Sequence, residues 1–208
     1  HWAPNGVVSA DLYNMFGAMH GTIMVFLGVV PLGFAAFGNY VVPLQIGAVD
    51  MAFPKLNAWS FWLFFIGGFM MLASFFLPTG AAQVGWTNYS PLATTVQYLD
   101  VKNVFFTGQT QWLLAMVFII SSSLLGAVNF VTTILNVRCK GMTWMRMPFF
   151  VWAMLVTGFI LLLAFPPLEV AAILQLFDRV FGSSFFLPTG LVEGGRHLDI
   201  SGGGSPLL

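Results

Sequence analysis

The chain has 208 residues, 58% of them hydrophobic and only 7% charged, with seven basic against seven acidic side chains. Soluble domains carry roughly 25% charged residues, so this surface excludes a water-solvated globule, and zero net charge without a basic run gives no sign of a nucleic-acid partner. With a mean hydropathy of +0.88 and a single cysteine, Cys139, the composition leaves no intrachain disulfide framework and points to an integral membrane protein.

The chain starts HWAPNG, without a methionine or a signal peptide, and closes on SGGGSPLL, a loop composition. Both ends are expected to be cuts in a longer polypeptide. Between them lie four apolar runs, Met15–Val42, Ala58–Leu77, Trp112–Leu135 and Phe149–Leu176, each with about 20 or more predominantly apolar residues. Period-two alternation is absent, which argues against a β-barrel. The expected fold is all-α: a polytopic transmembrane helix bundle, with residues 1–208 as one domain.

The first run sits inside the stretch Tyr13–Asn57. It contains one histidine, His20, with Gly17, Gly21 and Gly28 at spacings of four and seven, close to one face of a helix. Such a face lets a flat group or another helix approach the backbone. The run ends in a polar corner holding Asn39, Asp50 and Asn57. At 1.5 Å per residue, His20 and Asn39 are about 28 Å apart, near opposite faces of a bilayer. His20 has two readings: an imidazole hydrogen-bonded to a neighbouring helix, or a haem iron ligand beside bare backbone. Asp50 also has two. It caps the second helix, with Pro54 in the first turn, or it accepts protons at a water-filled mouth where Asn39 and Asn57 order the water.

In the third run Ser122, Asn129 and Asn136 recur every seven residues, with Ser123 beside them. They share a face, drifting ~20° per step. That face either ties helices together or lines a wet path. In the fourth run Glu169 follows Pro166 and Pro167. A carboxylate inside a span is a functional candidate, but one near the outer end can also reach the interface.

The segment NVRCKGMTWMRMP carries Arg138, Lys140 and Arg146 and no acid, so it is expected on the cytoplasmic, or the equivalent matrix, side. The Asp50–Asn57 corner then lies on that side too, and Pro78–Gln111 and the tail after Asp178 face outward. Trp86, Tyr89, Trp112, Trp144 and Trp152 fall near run ends, as interfacial aromatics do.

The words YNMFGAMHGTIMVF, FGNYVVPLQIGAVDMAFPKLN, GWTNYSPLA, SSSLLGAVNFVTTILNVR, GMTWMRMPFFVWAMLVT and GGGSPLL, in this order, resemble subunit I of the haem-copper cytochrome c oxidases over essentially the whole chain. The resemblance is to the A-type, in bacterial rather than mitochondrial wording. It implies the second to fifth of twelve helices, and a place in the bacterial inner membrane or its mitochondrial counterpart. It implies that His20 is an axial ligand of the low-spin haem and that Asp50 is the mouth of a proton pathway. Asn39, Asn57, Ser122, Ser123 and Asn129 match that pathway's polar lining, and Trp86 matches a tryptophan near the reaction centre. A high-spin haem and copper belong to the full-length subunit, whose copper ligands come later in the family chain. Oxidase subunits II and III, cytochrome c and the lipid bilayer are the implied partners. The implied activity is transfer of electrons from cytochrome c to oxygen, coupled to proton translocation; this stretch alone is not expected to be active. A quinol oxidase shares the subunit. An ion-coupled transporter is the rival from another class, but the inverted repeat common there is not found. The chain departs from the pattern at Lys55, where arginine is usual, at KLNA for RLNN, and at GGGSP for GGGDP. Glu169 has no place in the pattern.

Overall fold

The computed structural model describes Gly6 and residues 8–90, 92–94, 103–187, 192–193, 196–197 and Gly204. Four long apolar helices dominate: α1 (Ala10–Ile46), α2 (Pro54–Ala73, continued by a 3-10 turn at Ser74–Phe76), α3 (Gly108–Asn136) and α4 (Phe149–Phe181). At 1.5 Å per residue each exceeds the ~30 Å of a bilayer's hydrocarbon core. An antiparallel pair of two-residue strands, Val192–Glu193 and Arg196–His197, follows them.

The helix ends follow local chemistry. Ser9 caps α1 by accepting the Leu12 N–H, with Asp11 in the first turn. Gly47 closes α1 in the left-handed region at φ 69°, and the Ala48 N–H bonds back to the Pro43 carbonyl. Pro54 begins α2, where its missing N–H costs nothing. α1 and α3 run past the apolar segments read from the sequence at both ends, α2 begins four residues earlier and its 3-10 turn stops one residue short of Leu77, and α4 starts at Phe149 as read and continues to Phe181.

α1 is not uniform. Ile23–Val29 and Pro31–Phe37 are π-helical. Pro31 cannot donate to the preceding turn, and a widened turn is one way a helix absorbs that defect. Within a π-helical stretch the 3.6-residue period fails, so Gly28 does not continue the row set by Gly17 and Gly21.

The residues form two compact units. The first comprises His1–Ile23, Phe69–Val117 and Val170–Leu208. Its core holds Met15, Met19, Met71, Leu113 and Met116. Trp112, expected at the interface, is instead 3% exposed and donates its indole N–H to Thr22 Oγ1 at 3.3 Å. A buried indole finds a partner where one is in reach, and here it lies on α1. Arg179 is buried and donates to Thr107, Thr110 and the Ala93 carbonyl. Asp178 accepts the Phe185 and Phe186 N–H groups and the Ser183 hydroxyl, closing the chain after α4.

The second unit comprises Met24–Gly68 and Phe118–Glu169. Its core packs Phe34, Val42 and Ile46 of α1 against Phe130 and Ile134 of α3 and Val151 and Met154 of α4. Polar side chains are buried here, Asn129 and Thr133 completely, while Phe61 and Trp62 of α2 are more than half exposed. This inverted arrangement suits lipid, where apolar surface faces outward and hydrogen bonds join helices. Between α3 and α4, the Arg138 guanidinium lies 3.8 Å from the centre of the Trp144 ring, and Trp152 donates to the Trp144 carbonyl at 3.1 Å.

Candidate functional site

In the first unit His20 is an exposed residue of α1, while Met19 and Thr22 turn into the core. Gly17 lies one turn before it and Gly21 directly after it. A Cβ added at either glycine would meet nothing within 4 Å. The imidazole thus stands beside bare, open backbone, the arrangement a flat macrocycle needs to bring its metal to a ring nitrogen. Among the described residues the imidazole makes no hydrogen bond. Trp86 is also exposed, two residues before Asn88, which sits at φ 52°. Gln109 of α3 and Gln175 of α4 both hydrogen-bond Asn88 and fix that part of the loop.

The second unit contains a cavity of about 720 Å³. The π-helical part of α1 forms one wall. Asn39 from α1, Asn57 and Ser60 from α2, and Ser122 and Ser123 from α3 supply its polar atoms. Asn57, Ser60, Phe61 and Phe64 recur at three and four residues, so one face of α2 forms a second wall. Asn39 Nδ2 donates to the Ala35 carbonyl at 2.7 Å, which fixes the orientation of the amide. Its Oδ1 is buried and has no protein partner. A buried acceptor left so costs about 1–3 kcal/mol, and a water in a polar cavity removes that cost.

Asp50 is exposed in the turn between α1 and α2, its Oδ1 accepting the Met51 N–H at 2.7 Å. It lies four residues before Pro54 and therefore does not occupy the cap of α2. The turn is held by α3 instead. Thr133 Oγ1 accepts the Ala52 N–H, Asn129 Oδ1 accepts the Phe53 N–H, and both bonds are 2.9 Å long. Asn129 Nδ2 also donates to the Phe53 carbonyl. In addition the Cys139 N–H donates to the Ile46 carbonyl.

The seven-residue polar row therefore divides. Ser122 lines the cavity and also exchanges hydrogen bonds with Ser60, each hydroxyl donating to the other's carbonyl. Asn129 holds the turn, outside the cavity lining, and Asn136 is exposed at the end of α3. Ser60 and Thr133 were not singled out by the sequence. Ser60 had one signal, its place three residues after Asn57; Thr133 had one too, four residues after Asn129. Glu169 does not reach outward: its carboxylate accepts the hydroxyl of Ser121.

The family model described as cytochrome c and quinol oxidase polypeptide I matches residues 1–201. Cytochrome c oxidase subunit 1 of Thermostichus vulcanus is 47% identical over 186 residues, covering 89% of this chain and 32% of that protein. The subunit of the same name from Synechocystis sp. is 49% identical over 183 residues, covering 88% of this chain and 31% of that protein. That of Bacillus sp. is 48% identical over 184 residues, covering 88% and 28%. The chain spans about a third of the length of these curated relatives.

Proposed function

Because this chain belongs to the cytochrome c and quinol oxidase polypeptide I family, we propose that it is part of the catalytic subunit of a terminal respiratory oxidase, in which it takes protons from the inner side of a bacterial inner membrane. The whole protein would pass electrons from cytochrome c to oxygen in company with oxidase subunits II and III. A quinol is the alternative donor, since the family's description covers both.

One observation carries the proton reading: a cavity of about 720 Å³ that contains an unpartnered buried acceptor, Asn39 Oδ1, among the polar groups of Asn57, Ser60, Ser122 and Ser123. That volume has room for several waters around those polar groups. Water ordered by two amides and three hydroxyls can relay protons along hydrogen bonds. Asp50 supplies the collecting group: an exposed carboxylate on a turn that α3 holds in place. Asn129 acts here by positioning that turn, and Ser122 by both joining α2 to α3 and facing the water. Moving one charge across the membrane works against about 2.3 kcal/mol per 100 mV, so the route must be sealed on its apolar sides. The phenyl groups of Phe34, Phe61, Phe64 and Phe130 line those sides.

His20, with Gly17 and Gly21 leaving the backbone open beside it, fits a haem iron ligand. A bound low-spin haem would supply one-electron transfer there. Among the described residues no three His, Cys, Asp or Glu side chains gather closely enough to hold a metal ion; in this reading a high-spin haem and copper belong to the full-length subunit.

The test is Asp50→Asn in the full-length oxidase, reconstituted in vesicles. Asparagine keeps an acceptor for the Met51 N–H, so the fold should hold. Oxygen consumption should fall steeply and proton ejection should stop, with both haem spectra intact. Normal turnover with normal ejection would reject Asp50 as the collecting group.

A further inference from the structure

Glu169 is the one acidic residue of α4 before its last turn, and nothing in the proton route uses it. It is half-buried and accepts a hydrogen bond from Ser121 of α3. The depth of that contact can be read from α3. Thirteen residues precede Ser121 in the helix and fifteen follow it, so at 1.5 Å per residue the serine is ~20 Å from either end. The carboxyl group therefore turns to the middle of a spanning helix and away from the interface.

Among the described residues no cation is placed to balance it. α3 contains no charged residue, and α4 contains no Lys, Arg or His from Phe149 to Asp178. Arg179 is ten residues further on, ~15 Å along the axis, and is engaged with Thr107, Thr110 and the Ala93 carbonyl. Lys55 and Arg138 belong to the polar ends of the bundle, before the first apolar turn of α2 and after the last residue of α3. Val170, next to Glu169 on α4, is more than half exposed, as is Leu163 less than two turns earlier, as expected where lipid is the solvent. An uncompensated negative charge is disfavoured in such a place, and a bound cation removes the conflict. The proton is the smallest cation and the only one that a single carboxyl and a single hydroxyl can satisfy.

We propose that Glu169, hydrogen-bonded to Ser121, is a proton-binding site inside the membrane-spanning bundle, separate from the cavity that Asn39 and Ser122 line. Ser122, next to Ser121 in the chain, bonds to Ser60 of α2, while Ser121 bonds to α4. The two serines serve different neighbours because successive residues of a helix point about 100° apart. The proposal needs only that α3 and α4 cross the membrane, and it stands whether or not Asp50 collects protons.

The test uses a hydrophobic carbodiimide on the full-length oxidase in membranes. The carboxyl O–H adds across one C=N bond: the oxygen joins carbon, the proton goes to nitrogen, and nothing leaves. Only the acid form within the apolar region can react in this way. The peptide containing Glu169 should gain the mass of the reagent, a water-soluble carbodiimide should leave it unlabelled, and Glu169→Gln should lose the label. Ser121→Ala should speed the labelling, because the acid loses its partner. Should Glu169→Gln fail to assemble, the two reagents on the unaltered protein still decide. Labelling by the water-soluble reagent, or none by the hydrophobic one, would overturn the proposal; an unchanged rate in Ser121→Ala would remove Ser121 from the site.

Discussion

Asn129 gives both halves of its amide to a single residue. Its Oδ1 accepts from the Phe53 N–H and its Nδ2 donates to the Phe53 carbonyl, and the side chain is completely buried. Asn129→Ala should therefore leave two backbone groups unmatched. At about 1–3 kcal/mol for each group, the loss should be ~2–6 kcal/mol, read as a lower unfolding temperature of the full-length protein. Asn129→Asp keeps the acceptor and should cost less. His20 makes the opposite case. Its side chain is exposed beside open glycines, so His20→Ala should alter stability by no more than ~0.5 kcal/mol. The low-spin haem signal should vanish from the reduced-minus-oxidised spectrum all the same. A normal low-spin signal in that variant would remove His20 from the iron. Asn39, with one amide atom bonded and the other bare, differs from Asn129 in kind: one asparagine holds structure, the other offers a free acceptor to a cavity.

Among the elements, α1 shows how closely the second unit is packed. A Cβ at Gly38 would lie 2.7 Å from the ring of Phe130, which is buried and tilted against Phe34 at 4.6 Å between ring centres. Gly38→Ala should destabilise by roughly 1–3 kcal/mol, the usual cost of overfilling a packed core. Gly17→Ala, with nothing within 4 Å, should be tolerated by the fold. Thermal unfolding of the two variants side by side measures the contrast. The helices themselves were legible in the sequence, because a run of 20 apolar residues has few other fates. Most of their ends were not. Hydropathy marks the part of a helix that lies in hydrocarbon, whereas α1 and α4 continue through Ala10 and Arg179 into polar surroundings. The π-helical stretches left no trace beyond Pro31, since a change of hydrogen-bond register alters no composition.

For the whole molecule, the positive loop is the reference for orientation. Cys139 is its exposed thiol, next to Arg138 and Lys140. An impermeant thiol reagent should label Cys139 in inside-out vesicles and leave it untouched in intact cells; the reverse pattern would invert every assignment of side. At this scale the sequence was informative about chemistry and poor about pairing. His20, Asp50, Asn39, Asn57, Ser122 and Ser123 could be picked out by residue type within an apolar background. Ser60 and Thr133 are single hydroxyls in apolar helices, and only the fold reveals which carbonyl or N–H each one meets. For the same reason the sequence leaves Glu169 between a functional and an interfacial side chain, and only the fold pairs it with Ser121.

The corner from Gly47 to Phe53 is a loop by backbone angle, yet its amides are spoken for. The Ala52 and Phe53 N–H groups end on side chains of α3, and the Cys139 N–H closes on Ile46. Exchange with solvent deuterium requires those bonds to open, and they open only if α3 moves away. In the full-length protein the Ala52 and Phe53 amides should therefore exchange on the slow timescale of the α3 interior, although the Phe53 side chain is 47% exposed. Thr133→Val should release the Ala52 amide first. A surface turn whose amides keep their protons for hours beside a solvent-exposed side chain would separate two clocks within four residues.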